Sequence, residues 1–181
     1  SYVPALTALA EFQPQQVIVS TYQAVSGAGK TLTTWPEMVD NVIPFIGGEE
    51  TKSEREPLKI WAQVTPQGFV LPTQPVISAN CVRVPVSNGH MTTVNVRFAR
   101  KPTAEQILAA WEQFGNPIVD LQLPSSPNQV LHYFTEDNRP QTKLDRMLEH
   151  GMAVSLGRLR ADTVLDWKFV ALSHNTVRGA A

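Results

Sequence analysis

Apolar positions along the chain fall mainly into runs with a period of two, separated by turn residues, and only a few stretches show helical spacing. The segment from Val17 to Gln23 (VIVSTYQ) is rich in β-branched residues and is bounded by Pro14 and by Ser26-Gly27-Ala28-Gly29. It predicts a strand running into a tight loop. From Asn80 to Val86, Val82, Val84 and Val86 share one face while Cys81, Arg83 and Pro85 share the other. After the turn Ser87-Asn88-Gly89, the residues Thr92, Val94, Val96 and Phe98 keep the same period, which predicts an antiparallel pair. Two more strands are expected over 152–160 and 166–172.

Helical spacing occurs at Pro4, Leu6 and Leu9, and in a charged stretch after Gly47-Gly48 whose leading Glu49 and Glu50 suit a helix dipole. Pro57 is expected to open a separate helical piece ending near Trp61. A further helix begins with the capping box Thr103/Gln106, carries Ile107, Leu108, Trp111 and Phe114, and should end at Gly115. The stretch 116–145 shows no regular pattern. Strands grouped with a few helices, without βαβ alternation, predict an α+β fold: a mixed, largely antiparallel sheet with helices on one face.

At 181 residues the chain fits one domain, spanning 1–181. No apolar run approaches the roughly 18 residues that cross a membrane, and a net charge of -1 made of scattered residues leaves no basic stripe for nucleic acid. Cys81 is the only cysteine, so an internal disulfide is excluded, and the four histidines lack metal-ligand spacing. No metal is expected, and a reducing, cytoplasmic compartment is the default. Residues Ser1 to Leu9 lack the basic start of a secretory signal. They begin as if continuing an element, and the close on Arg178-Gly179-Ala180-Ala181 has the same character, so a domain cut from a longer protein is expected.

One glycine motif invites a nucleotide reading. Ala24 to Thr31, with Gly29-Lys30-Thr31, follows a predicted strand and fits a relaxed phosphate-loop pattern. The strict pattern wants glycine where Ala24 stands, and Thr31-Leu32-Thr33-Thr34-Trp35-Pro36 is a poor start for the helix whose N-terminus must face the phosphates. The reading stays an alternative of lower weight. Four other polar features stand in apolar or tightly turned contexts: Gln23 at a strand end, Glu49 with Lys52 after a glycine pair, Arg83 among valines, and His90 at a glycine turn. A guanidinium in a valine strand serves either a carboxylate ligand or a structural ion pair. Glu49 and Lys52 by themselves also fit a solvated helix face, and His90 fits an inert turn histidine.

In order and spacing these segments resemble the aspartate-β-semialdehyde dehydrogenase family, particularly its fungal and archaeal branch. The matching stretches are Ser20-Thr21-Tyr22-Gln23-Ala24-Val25-Ser26-Gly27-Ala28-Gly29, Asp40-Asn41-Val42-Ile43-Pro44-Phe45-Ile46, Glu49-Glu50-Thr51-Lys52, Cys81-Val82-Arg83-Val84-Pro85-Val86 with Gly89-His90, and the closing run from Phe169 to Ala181. The resemblance implies the catalytic and dimerisation domain of such an enzyme, of the glyceraldehyde-3-phosphate dehydrogenase C-terminal type, without the Rossmann domain that binds NADP. It implies a cytoplasmic homodimer, with a tetramer open to the whole enzyme, acting on aspartyl phosphate and aspartate semialdehyde. His90 then matches the general acid/base and Gln23 the glutamine that orients the acyl group. Arg83 matches the clamp on the substrate α-carboxylate, Glu49 the partner of its ammonium group, and Lys52 the phosphate-binding lysine. Ser26, Gly27 and Asn175 fall near the nicotinamide. Lys30 takes no role. The family nucleophile, a cysteine in an Asn-Cys-Ser/Thr motif, is expected upstream of Ser1; Cys81 matches a separate structural thiol, and the chain by itself is expected to be inactive.

Overall fold

The computed structural model describes residues 1–115, 119–121 and 123–178. Its centre is a six-stranded sheet in the order β4-β1-β5-β8-β7-β6, formed by β1 (Pro14–Gln23), β4 (Val76–Arg83), β5 (His90–Phe98), β6 (Leu131–Phe134), β7 (Val154–Ala161) and β8 (Trp167–Ser173). The β1·β5, β5·β8 and β7·β8 pairs are antiparallel, and β1·β4 and β6·β7 are parallel. A two-stranded hairpin, β2 (Gln63–Thr65) and β3 (Gly68–Val70), stands apart. The α+β expectation holds.

Alternation along the strands sends Val17, Val19, Val94, Val96, Phe169 and Ala171 to one face. There they meet α1 (Val3–Thr7) and α3 (Ala104–Glu112) through Ala5, Leu6, Ile107 and Trp111. Trp111 shows why a tryptophan serves here. Its ring packs 5.1 Å from that of Phe169, and its Nε1–H donates to the Ala5 carbonyl at 3.1 Å, so α1 and α3 are tied through one buried side chain. Over β7 the opposite face is covered by the segment that carries α4 (Thr142–Asp145). Its buried Asp145 carboxylate accepts from Arg139 Nε at 2.8 Å and from the Gln141 N–H at 2.6 Å. Over β1 and β4 that face stays open, with Ile18, Tyr22 and Val76 exposed.

Three expectations need correction. The segment 80–98 is not a hairpin, because β1 lies between β4 and β5. Strand β4 stops at Arg83, whose N–H and carbonyl pair with Ile43 at 2.8 and 3.0 Å. The chain then crosses the end of β1, donating from Val84 N–H to the Gln23 carbonyl and accepting from Val25 N–H at the Val86 carbonyl. The valine alternation beyond Arg83 therefore serves a crossing and not a strand.

Secondly, Pro57 does not start a new helix: α2 runs unbroken over Glu49–Ile60. A proline inside a helix frees the carbonyl four residues back. Here that carbonyl belongs to Ser53, and the Tyr2 hydroxyl donates to it at 2.5 Å, replacing the missing amide. Thirdly, α3 closes at Glu112, short of Gly115, although its capping box forms as expected from Thr103 and Gln106. Helix α2 also guards the sheet margin, since Glu54 and Glu50 accept the Ala79 and Cys81 amides of edge strand β4 at 3.1 and 3.2 Å.

Candidate active site

The parallel pairing of β1 with β4 brings Gln23 opposite Arg83, and the antiparallel pairing of β5 with β8 brings His90 opposite Ser173. Both pairs lie at the same end of the sheet, so residues far apart in sequence converge by topology alone. Gln23, Gly27, Glu49, Lys52, Arg83, His90 and Asn175 all line one cleft of about 880 Å³. Ser26 reaches the same place through Asn175, whose Nδ2 donates to Ser26 Oγ at 2.9 Å.

Arg83 occupies the strand face that also buries Ile77, Ala79 and Cys81, and its side chain turns back over the loop after β1. Nη1 donates to the Ala24 carbonyl at 2.7 Å. Burial lowers its pKa below the ordinary arginine value, with the Glu49 charge opposing, and the group remains a cation. On the other side of Ala24, its N–H donates to His90 Nδ1 at 3.2 Å. The neutral ring therefore carries its proton on Nε2, facing Gly27. A Cβ added to Gly27 would lie 2.8 Å from Arg83 Nη1 and 3.1 Å from His90 Nε2, so glycine is required here by close approach.

His90 is pushed down to about 4, chiefly by burial and further by the positive charge of Arg83; a backbone hydrogen bond at Gly89 and the Glu49 charge oppose. At neutral pH the imidazole is thus uncharged. Across the cleft, Lys52 donates to Glu49 Oε1 at 3.0 Å and Gln23 Nε2 donates to Oε2 at 3.3 Å. Burial raises the Glu49 pKa, but hydrogen bonds from Lys52 and Gln23 and the Lys52 and Arg83 charges outweigh it, holding the carboxyl below its usual value. The cleft wall therefore presents two cations, one carboxylate and one neutral imidazole. Such an array fits a small zwitterion bearing an extra anionic group.

The remaining candidates resolve equally clearly. Residues Val25–Ala28 form a 3-10 turn, Gly29 closes it in a left-handed conformation, and no helix follows Lys30. The Lys30 ammonium sits 4.2 Å from the centre of the Trp35 ring. No helix N-terminus is offered to a phosphate at this loop, and the nucleotide alternative finds no support. Cys81 is fully buried beside Ser53 Oγ, 3.7 Å away, outside the group of residues that lines the cleft. Among the described residues no cluster of metal-ligating side chains occurs, and no helix is long and apolar enough to cross a membrane. Sequence reasoning missed two participants. Ala24 acts through its peptide groups, which no residue type signals. His174 is buried in the cleft wall, its Nδ1 accepting the Val177 N–H at 3.2 Å, and only the Ser-His-Asn run beside Asn175 marked it.

A family model described as the semialdehyde dehydrogenase dimerisation domain matches residues 6–178. Aspartate-semialdehyde dehydrogenase of Schizosaccharomyces pombe is 44% identical over 171 residues, 92% of this chain and 48% of that protein. Its counterpart from Archaeoglobus fulgidus is 41% identical over 179 residues, covering 99% and 51%. The crystal structure of aspartate semialdehyde dehydrogenase with NADP from Candida albicans matches with a TM-score of 0.84 at 36% identity, over 97% of this chain and 50% of that one. The chain thus spans about half the length of the curated relatives it matches.

Proposed function

The chain belongs to the semialdehyde dehydrogenase dimerisation-domain family, and from that premise we propose that it is the substrate-binding and dimerisation half of an enzyme interconverting L-aspartyl-4-phosphate and L-aspartate-4-semialdehyde with NADP. The observation that carries the reading is the convergence of Arg83, Glu49, Lys52 and His90 on one cleft. The substrate is a zwitterion with a reactive carbonyl at its far end, and each part finds a partner. The Arg83 fork takes the α-carboxylate, where a planar bidentate donor is favoured. Glu49, held ionised, faces the ammonium group, and Lys52 supplies a compact mobile cation for phosphate. Gln23 orients the acyl oxygen.

His90 exchanges protons with the reacting centre through Nε2, because Nδ1 is held by the Ala24 amide. Acyl transfer in this family reading needs a thiol brought to Nε2, and the buried Cys81 is not placed to provide it. NADP, when bound, would supply hydride chemistry at the carbonyl carbon. Ser26, Gly27 and Asn175 stand at the cleft beside His90 and would hold the nicotinamide end alone, where Asn175 retains one amide proton. Without a dinucleotide-binding domain the isolated chain is expected to be inactive and to bind NADP weakly. The open sheet face around Ile18, Tyr22 and Val76 supports a homodimer, and the reading is that of a cytoplasmic enzyme of amino-acid biosynthesis.

The test is titration of the chain with L-aspartate-4-semialdehyde, then phosphate, followed by NMR shifts of the His90 ring, the Gln23 side-chain amide and the Arg83 guanidinium. The expected result is shifts confined to these groups, abolished by Arg83→Ala. Binding indifferent to Arg83, or shifts centred elsewhere, overturns the assignment.

A further inference from the structure

We propose that Asn175 is a positioning residue, a clamp that locks the turn carrying His90 to the Ser26–Gly27 loop; this rests on reading His90 as the acid/base group of the cleft. Its Oδ1 accepts the Gly89 N–H at 2.8 Å while its Nδ2 donates to Ser26 Oγ at 2.9 Å. One planar carboxamide thus joins the residue before His90 to the residue before Gly27. Both neighbours matter, because Gly27 is the surface against which His90 Nε2 and Arg83 Nη1 rest.

From the cleft side the turn is held by this carboxamide at Gly89 and by Ser1 Oγ, which donates to the His90 carbonyl at 2.9 Å. Gly89 lies at φ +95, and a Cβ there would meet Thr142 and Arg146 behind it, so the back of the turn is already packed. Its amide faces the other way, where water would otherwise take it, and the carboxamide satisfies it instead. Ala24 fixes the imidazole ring and the guanidinium, whereas Asn175 fixes the backbone on which the ring is mounted. The side-chain length is decisive, since an extra methylene would displace both polar atoms. Having committed Oδ1 and one N–H, Asn175 keeps a single N–H for any ligand.

The predicted consequence concerns water. His90 is kept neutral mainly by burial, with the Arg83 guanidinium facing it as a cation and Glu49 as an anion. Releasing the turn admits solvent to the ring, and the imidazole then titrates closer to its ordinary value.

The experiment is NMR on the 181-residue chain without substrate, reading Gly89 amide exchange and the His90 titration together. Asn175→Ala is expected to speed Gly89 exchange about tenfold or more and to raise the His90 pKa by about one unit. Asn175→Asp keeps an acceptor for Gly89 and for the Ser26 hydroxyl, so Gly89 protection should return to the native level. A His90 titration unchanged in Asn175→Ala, or no rescue of Gly89 protection by Asn175→Asp, overturns the clamp. If Asn175→Ala does not fold, Ser26→Ala carries the test by cutting one arm, and an unmoved His90 titration there overturns it as well. Because no substrate is present, these outcomes are separate from the semialdehyde titration, whose failure with the clamp intact would remove the substrate assignment alone.

Discussion

Arg83 and His90 are joined by the two peptide groups of a single residue: the Ala24 carbonyl accepts from Arg83 Nη1 at 2.7 Å, and the Ala24 N–H donates to His90 Nδ1 at 3.2 Å. The spacing between guanidinium and imidazole is thus set by backbone, which has few conformations, and not by two flexible side chains. A substrate whose carboxylate and carbonyl are separated by a short carbon chain meets a ruler of fixed length.

The depressed His90 value fixes a pH response. A folded-state pKa of about 4 against an ordinary 6.5 means that the unfolded chain binds the proton more tightly. Stability from this group is complete above pH 6.5 and is lost as pH falls towards 4, by at most about 3 kcal/mol. His174, lowered by burial and then by Arg146, acts in the same direction. Melting temperature measured across this window should fall with acidification, and the His90 ring resonance should titrate near its lower limit.

Gly27→Ala should weaken function and stability together. The new methyl group would strike the Arg83 guanidinium and the edge of the His90 ring, and displacing either one breaks its hydrogen bond to Ala24. The fold should lose about 1–3 kcal/mol, and semialdehyde affinity should fall roughly tenfold, equivalent to about 1.4 kcal/mol. Calorimetric titration beside a thermal melt reads both quantities.

Cys81 should behave as a core residue. It is buried on the inner face of β4, so a thiol reagent should modify it only at the rate of unfolding. Cys81→Ala should leave ligand affinity unchanged within twofold, about 0.4 kcal/mol. Rapid native labelling that blocked ligand binding would contradict the assignment.

Tyr2→Phe isolates the repair at Pro57. Burial, helped by the Cys81, Glu54 and Glu56 charges, pushes the phenol well above its ordinary pKa, so it stays a donor to the Ser53 carbonyl. Removing the hydroxyl leaves that carbonyl unpaired and should cost about 1 kcal/mol. Urea denaturation is expected to show the loss, and a paired Pro57→Ala change should largely cancel it by restoring an amide.

What the sequence disclosed follows from which interactions are local. The Thr103 capping box is written in four consecutive positions, and the alternation of β1, β5, β7 and β8 is visible because one face of each is apolar. The expected β4–β5 hairpin fails because turn signals at Ser87-Asn88-Gly89 say nothing of a third strand inserted between two others. The strands β2, β3 and β6 are three or four residues long, too short for a period to show. In the cleft, residue types marked Arg83, His90 and Glu49, but the link between Arg83 and His90 passes through the peptide groups of Ala24, which are the same for almost every residue.

Helix α2 turns opposite sides to two tasks. Glu50 and Glu54 occupy the hydrogen-bonding margin of β4, so a foreign strand finds no free amides at Ala79 and Cys81 to pair with. Glu49 and Lys52, one turn of the same rod, look into the cleft. Protection against aggregation and recognition of the ligand therefore share a single anchorage, and a mutation that loosens the helix from the strand should reveal itself as poor solubility and weak binding together.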